Sequence, residues 1–217
     1  VVTTAVSAGS AAFGVAAGPL TGHHGRWNDG GMKRLCIAAA GGMGVLGAGY
    51  LGLVTGVMPV DLGVGRRVRP LGPFGVDIGA GQEAVFDILS RPYLGRQTRA
   101  MAEKIQILER GNDMVLAAHR TAVRGRLVAV TVETVRFTPP DRIDFRLVRG
   151  PVPQVTEAFL LSGQDGRTRV DYSGELGADL WALGQAWAAA VAARWERVVM
   201  ASLDAVRAEA ERRPGPV

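Results

Sequence analysis

Cysteine is almost absent: Cys36 is the only one among 217 residues. No intrachain disulfide can form, and the chain after that residue offers neither a cysteine nucleophile nor a thiolate metal site. Histidine is nearly as scarce, with three residues, two of them adjacent at His23 and His24. Asp29 is the only acid near that pair and no further His or Cys stands at ligand spacing, so no metal is expected. A basic surface interleaved with aromatics is also missing. The net charge is +5 and the pI near 10.1, but the arginines are spread among acids, and the one local cluster is Arg66, Arg67 and Arg69. Nucleic acid is therefore not an expected partner.

Charge itself is missing from one stretch. Between Leu35 and Val60 none of the 26 residues is charged. As a helix this run would reach about 39 Å, enough to cross a hydrocarbon core of about 30 Å. A single transmembrane helix over 35–60 is expected, with a disordered tail of small residues over 1–31 before it. Ala40, Gly44, Ala48, Gly52 and Gly56 recur every fourth residue. Such a ridge of small side chains permits close approach of another helix, either a membrane partner or a second copy in a homodimer. Gly47 to Gly52 also spells G-x-G-x-x-G, but Pro59, Gly63, Gly65 and Pro70 break the chain soon after and no strand–helix–strand unit follows. No nucleotide or other cofactor is expected. Arg26, Lys33 and Arg34 precede the apolar run and Arg66, Arg67 and Arg69 follow it, so the flanking charges do not choose a topology.

Residues 61–72, rich in Gly, Pro and Arg, read as a linker. Beyond it, over 73–213, the pattern predicts a folded domain. A strand at Phe74–Ile78 is followed by a helix over Gln82–Leu89, which places Ala84, Val85, Ile88 and Leu89 on one face. Arg91–Ala100 reads as irregular or a second short helix. Six strands then follow at about 102–109, 114–123, 127–137, 143–148, 154–161 and 168–176, separated by turn signals such as Pro139-Pro140-Asp141 and Gln164-Asp165-Gly166. Short connectors imply antiparallel pairing of neighbours. A long helix from about Asp179 to Arg212 closes the chain, with Leu180, Leu183, Trp187, Val191, Trp195, Val198 and Val206 as its apolar stripe.

The strand–helix opening FGVDIGAGQEAVFDIL, the strand–turn VETVRFTPPDRIDFRL, the strand RTRVDYSGEL and the terminal helix resemble the START/Bet v 1-like superfamily, also called SRPBCC or polyketide cyclase/dehydrase-like. The resemblance covers roughly 73–213. It implies an α+β helix-grip fold, a curved antiparallel sheet of about seven strands closed by the C-terminal helix, with a cavity between them. Members bind lipids, sterols, polyketides or other apolar molecules, and some are cyclases or dehydratases. The superfamily is usually intracellular, which implies a cytoplasmic domain on a cell-membrane anchor.

Within that fold, strand alternation puts Phe145 and Leu147 on one face with Ile143, and Phe159 and Leu161 on another with Val155 and Glu157. Tyr172 falls likewise on the strand 168–176. With Trp187, Val191 and Trp195 of the helix these are the expected ligand contacts. The alternative expectation for the same stripes is a filled hydrophobic core. His119, Glu133, Glu157, Asp171 and Tyr172 are the polar groups that could act inside. His119 with Glu133 across adjacent strands is the candidate acid–base pair of a cyclase-like enzyme. The expected function is membrane-anchored binding of an apolar or amphiphilic, lipid-like small molecule. A cyclase/aromatase-like enzyme and a non-catalytic partner-binding membrane protein are the alternatives.

Overall fold

A computed structural model describes residues 48–49, 51–52, 55, 61–124 and 127–212. Ala48–Val217 forms one compact unit. Strand β1 (Arg67–Ile78) leads into helix α1 (Gln82–Leu94) and the single turn α2 (Arg99–Ala102). Six strands follow: β2 (Ile105–Arg110), β3 (Met114–Arg124), β4 (Leu127–Thr138), β5 (Arg142–Arg149), β6 (Gln154–Gln164) and β7 (Arg167–Ala178). Helix α3 (Trp181–Arg212) closes the domain. The strands form one antiparallel sheet in the order β1-β7-β6-β5-β4-β3-β2. The run β2 to β7 is a meander, and β1 joins its far edge beside β7. The curved seven-stranded sheet and long C-terminal helix are those of a helix-grip α+β fold.

Alternation decides which face is covered. Along β6, Val155, Glu157, Phe159 and Leu161 are buried, while Leu160 and Ser162 between or beyond them are exposed. Along β7, Thr168, Val170 and Tyr172 point inward. The inner face therefore carries large apolar side chains and, against the pattern, a glutamate. Helix α3 lies over β1 and β7 and meets α1. Ion pairing of Arg91 with Glu209 at 2.6 Å and donation from the Gly79 N–H to Glu211 at 3.2 Å fix its C-terminal half.

Three elements differ from their sequence expectation. Helix α1 runs on through Pro92 to Leu94, because Tyr93 buries its ring in the core and holds the last turn. The apolar stripe of α3 is rotated: Leu183 and Val198 are exposed, and the residues buried against the sheet are the small Gly184, Ala188 and Ala192, followed by Val199 and Leu203. The segment 61–72, read as a linker, is ordered into the domain. Its second half belongs to β1, where Arg67 pairs with Ala178 and Leu71 with Gly174.

The first half of that segment is clasped by one side chain. The Asp179 carboxylate accepts hydrogen bonds from the Leu62 and Gly63 N–H groups at 2.7 and 2.9 Å and from Arg66 Nε at 2.7 Å. Arg66 also pairs with Asp61. The Leu180 and Trp181 N–H groups donate to the Val64 and Gly65 carbonyls. Gly65, at φ +63°, is required here, since the Trp181 ring occupies the space a Cβ would need. Gly184 is equally constrained by the Asp179 carbonyl on the preceding turn.

Among the described residues no helix is long and apolar enough to cross a membrane. The expected span 35–60 lies largely outside those residues, as do the tail 1–31 and Gly44 and Gly56 of the small-residue ridge. Ala48 and Gly52 are described in helical backbone, the first exposed and the second half-buried.

Arg66 and the two backbone donors hold the Asp179 carboxyl down at about 2. An acid with a depressed folded pKa stabilises above its unfolded value, about 3.9, and that contribution is lost as pH falls toward 2. Asp179→Ala should therefore lower stability at pH 7 by about 2 kcal/mol, the scale of lost hydrogen bonds to a charged group. Arg169→Ala, which breaks exposed pairs with Asp77 and Asp171, should leave stability nearly unchanged, because solvent screens such pairs. Urea unfolding of the two variants side by side measures the contrast.

Candidate functional site

The way α3 meets the sheet creates a void. Its small residues Gly184, Ala188 and Ala192 pack closely, whereas Trp187, Val191 and Trp195 on the adjoining face stay half-buried. Between that face, α1 and the inner surface of the sheet lies a cavity of about 540 Å³. Its walls are mainly apolar: Ile88 and Leu89 of α1, Ile105 of β2, Ile143 and Phe145 of β5, Phe159 of β6, and Val191 and Val199 of α3. Exposed Ala190, Arg194 and Val198 also border it and mark its mouth. Arg194 Nη2 donates to the Ala122 carbonyl at 2.8 Å, bridging α3 to β3.

Two polar groupings face this apolar space. In the first, His119 Nδ1 lies 3.1 Å from Glu133 Oε2, and His119 Nε2 lies 3.3 Å from the Tyr93 hydroxyl. His119 pairs opposite Thr131 on β4, one inward position from Glu133, so the contact is diagonal across the ladder. With Nδ1–H toward Glu133, Nε2 accepts from Tyr93; the imidazolium donates from both nitrogens. Burial lowers the basicity of His119, but the hydrogen bond to Glu133 and the charges of Glu133 and Glu157 outweigh it and raise its pKa. Burial keeps Tyr93 a neutral phenol, with its pKa pushed well above the ordinary value.

Glu157 forms the second grouping. One oxygen, Oε2, accepts from the Tyr172 hydroxyl at 2.7 Å and from Trp195 Nε1 at 2.8 Å. Its other oxygen has no hydrogen-bond partner among the described residues, and the residue lines the cavity. Burial, reinforced by the neighbouring Glu133 carboxylate, pushes the Glu157 carboxyl up to about 7. Near neutral pH it therefore passes between a carboxylic acid that donates and a carboxylate that accepts.

The expected contacts divide. Phe145, Phe159, Trp187, Val191 and Trp195 line the cavity with His119, Glu133 and Glu157. Leu147, Leu161 and Tyr172 are buried in the packed core instead, and Tyr172 reaches the site only through its hydroxyl on Glu157. Asp171 points to the outer face and pairs with Arg169. Tyr93, Pro92, Thr121, Thr131 and Arg194 were not singled out from sequence. Thr121 and Thr131 were legible, since each is two positions from His119 or Glu133 on an alternating strand. Tyr93 was not, because Pro92 reads as a helix stop. No group of three or more His, Cys, Asp or Glu able to hold a metal occurs among the described residues.

No family model matches the chain, and no curated protein matches it either. Solved structures do. The Zhui aromatase/cyclase from a Streptomyces species aligns with TM-score 0.55 at 21% identity, covering 68% of this chain and 96% of its own. The di-domain ARO/CYC StfQ of the steffimycin biosynthetic pathway gives 0.54 at 14%, covering 69% and 53%. A Thermus thermophilus protein gives 0.51 at 14%, covering 64% and 94%. A helix-grip sheet with one long helix is the architecture they share with this chain. The fold is SRPBCC-like.

The raised Glu157 pKa carries a sign. The folded state binds this proton more tightly, so the group's favourable contribution is complete below the unfolded value, about 4.3, and is lost as pH rises through 7. His119, also raised, acts in the same direction. Thermal stability should fall between pH 5 and pH 8. Glu157→Gln should remove part of that slope, on the order of 2 kcal/mol over the interval; an unchanged slope would show that Glu157 titrates normally.

Proposed function

We propose that this domain binds an amphiphilic small molecule with an apolar body and a carbonyl or hydroxyl group. The observation that carries the reading is the cavity itself: apolar walls on several sides, with Tyr93, His119, Glu133 and Glu157 converging inside it. Pockets of this size and composition take ligands by burying apolar surface, while a few polar groups fix orientation. Glu157 near its midpoint at neutral pH can meet a carbonyl as a donor or a hydroxyl as an acceptor. The uncharged run 35–60 supports a membrane anchor for the domain and hence a lipid-like ligand.

A second reading is favoured by the Tyr93–His119–Glu133 series. A phenol hydrogen-bonded to an imidazole that a carboxylate orients is a proton relay. In that reading Tyr93 exchanges a proton with a keto or hydroxyl group of the bound molecule, His119 takes or returns it, and Glu133 stabilises the imidazolium. The aromatase/cyclase neighbours share the fold, and the relay is what would add catalysis to binding.

Native mass spectrometry of the full chain released from membranes should show a discrete bound organic mass. Thr131→Phe, which fills the cavity from β4, should reduce occupancy about tenfold or more. A ligand-free mass for the parent across a panel of lipids would sink the binding reading. Once the ligand is identified, incubating it with the parent and with His119→Gln separates binding from turnover: conversion by the parent alone supports the relay, and unchanged ligand with both leaves a binding protein.

A further inference from the structure

Helix α3 is two different helices end to end. From Trp181 to Ala193 its outward positions are Trp181, Ala182, Leu183, Gln185, Ala186, Ala189, Ala190 and Ala193, all exposed. That half carries no acidic residue and, before Arg194, no charged residue of either sign. Its other face is already buried on the sheet through Gly184, Ala188 and Ala192. Apart from Gln185 this half is apolar all round, and such a helix is normally covered on both sides. From Arg194 onward the outer face turns charged, with Arg197, Asp204, Arg207 and Glu211 exposed or half-exposed.

The patch extends onto the clasped segment. Trp181 and Leu183 are 54% and 73% exposed, and Leu62, Val64 and Val68 beside them are exposed as well. Leu180 and Trp181 hold φ of 71° and 48°, left-handed values that non-glycine residues rarely adopt. The Asp179 clasp thus maintains a strained backbone with the Trp181 ring turned outward over Gly65.

All of this lies at one end of the domain. Arg67 pairs with Ala178, Gln154 with Gly177, and Arg149 with Val132, so these strand ends share the end where α3 begins. The β3–β4 hairpin extends past β5 at that same end, presenting exposed Val128 beside Ala122, to which Arg194 reaches. The uncharged run 35–60 has one described residue at that end. Its residue Thr55 accepts a hydrogen bond from the Val130 N–H at 3.0 Å, and Asp61 just beyond the run pairs with Arg66.

We propose that this end is a bilayer-docking surface, with the N-terminal half of α3 and the Leu62–Val68 segment lying in the membrane interface. Three features select a bilayer over another occupant. Asp61, the residue that follows the uncharged 26-residue run, pairs with Arg66 within the patch. An exposed Trp stands at its centre, the residue that favours the headgroup level. Exposed Arg67 and Arg194 rim it without acidic neighbours on the first half of α3, which suits anionic headgroups. Because Ala190, Arg194 and Val198 are both the mouth of the cavity and the edge of the patch, docking opens the cavity onto the bilayer. A ligand then moves between membrane and cavity without crossing water. This exchange route rests on the ligand reading above; the docking surface does not.

Spin labels on the full chain, in a Cys36→Ser background, test the surface. Single labels at Leu183→Cys and Ala186→Cys report the patch. Labels at Asp204→Cys on the charged half of α3 and at Asp165→Cys on the opposite end serve as references. In vesicles of phosphatidylcholine and phosphatidylglycerol, collisions with oxygen should exceed those with an aqueous nickel chelate at 183 and 186, and the order should reverse at 204 and 165. Nickel collisions dominating at all four positions would overturn the proposal, as would failure of the chain to associate with vesicles. Dipolar broadening between labels at 183 on two chains would assign the patch to a second copy and overturn it equally. Native mass spectrometry of the same samples keeps the two readings apart. A bound ligand with aqueous labels refutes docking alone, and lipid-facing labels with no ligand refute the ligand reading alone.

Discussion

Everything distinctive about this domain follows from how α3 meets the sheet. The helix presents glycine and alanine where it touches β1 and β7, and tryptophan and valine where it leans over the middle strands. Small residues let one side approach closely, and large ones hold the other side away. The result is a void instead of a continuous core. Its wall is pinned by polar contacts: Trp195 donates to Glu157 and ties the overhanging face of the helix to β6, Trp187 donates to the Pro151 carbonyl, and Arg194 to the Ala122 carbonyl. Removing the size asymmetry along α3 would let the helix settle flat and close the cavity.

Placing glutamates on an inward strand face is costly unless each is partnered. Here the cost is met in two ways. Glu133 sits against His119, whose pKa rises in response. Glu157 takes two hydrogen bonds on one oxygen and shifts toward the neutral acid. The two carboxyl groups thus meet unequal environments within one cavity. The buried carboxyls and their partners set this cavity apart from a wholly apolar one.

The Asp179 clasp joins the start of the domain to the start of α3. Residues more than a hundred positions apart meet there, and the segment leaving the uncharged run enters β1 in a defined direction. The clasp gives the start of α3 a set orientation relative to Asp61 and Leu62.

Local pattern was enough for the element order. Alternation in β6 and β7, turn residues between strands and the long periodic helix all identify a meander closed by a helix. The same alternation brought His119 and Glu133 inward and left Phe145 and Phe159 facing α3. Other features were beyond its reach because they depend on contacts between distant segments. Pro92 reads as a stop, yet Tyr93 finds a buried site that carries α1 past it and brings its hydroxyl to His119. Leu183 reads as part of the buried stripe, yet the Asp179 clasp rotates the helix start so that Gly184 faces the sheet and Leu183 faces out. Periodicity specifies that a helix has an apolar face; which of two apolar faces is buried, and whether a cavity or a core lies beneath it, is decided only when helix and sheet are brought together.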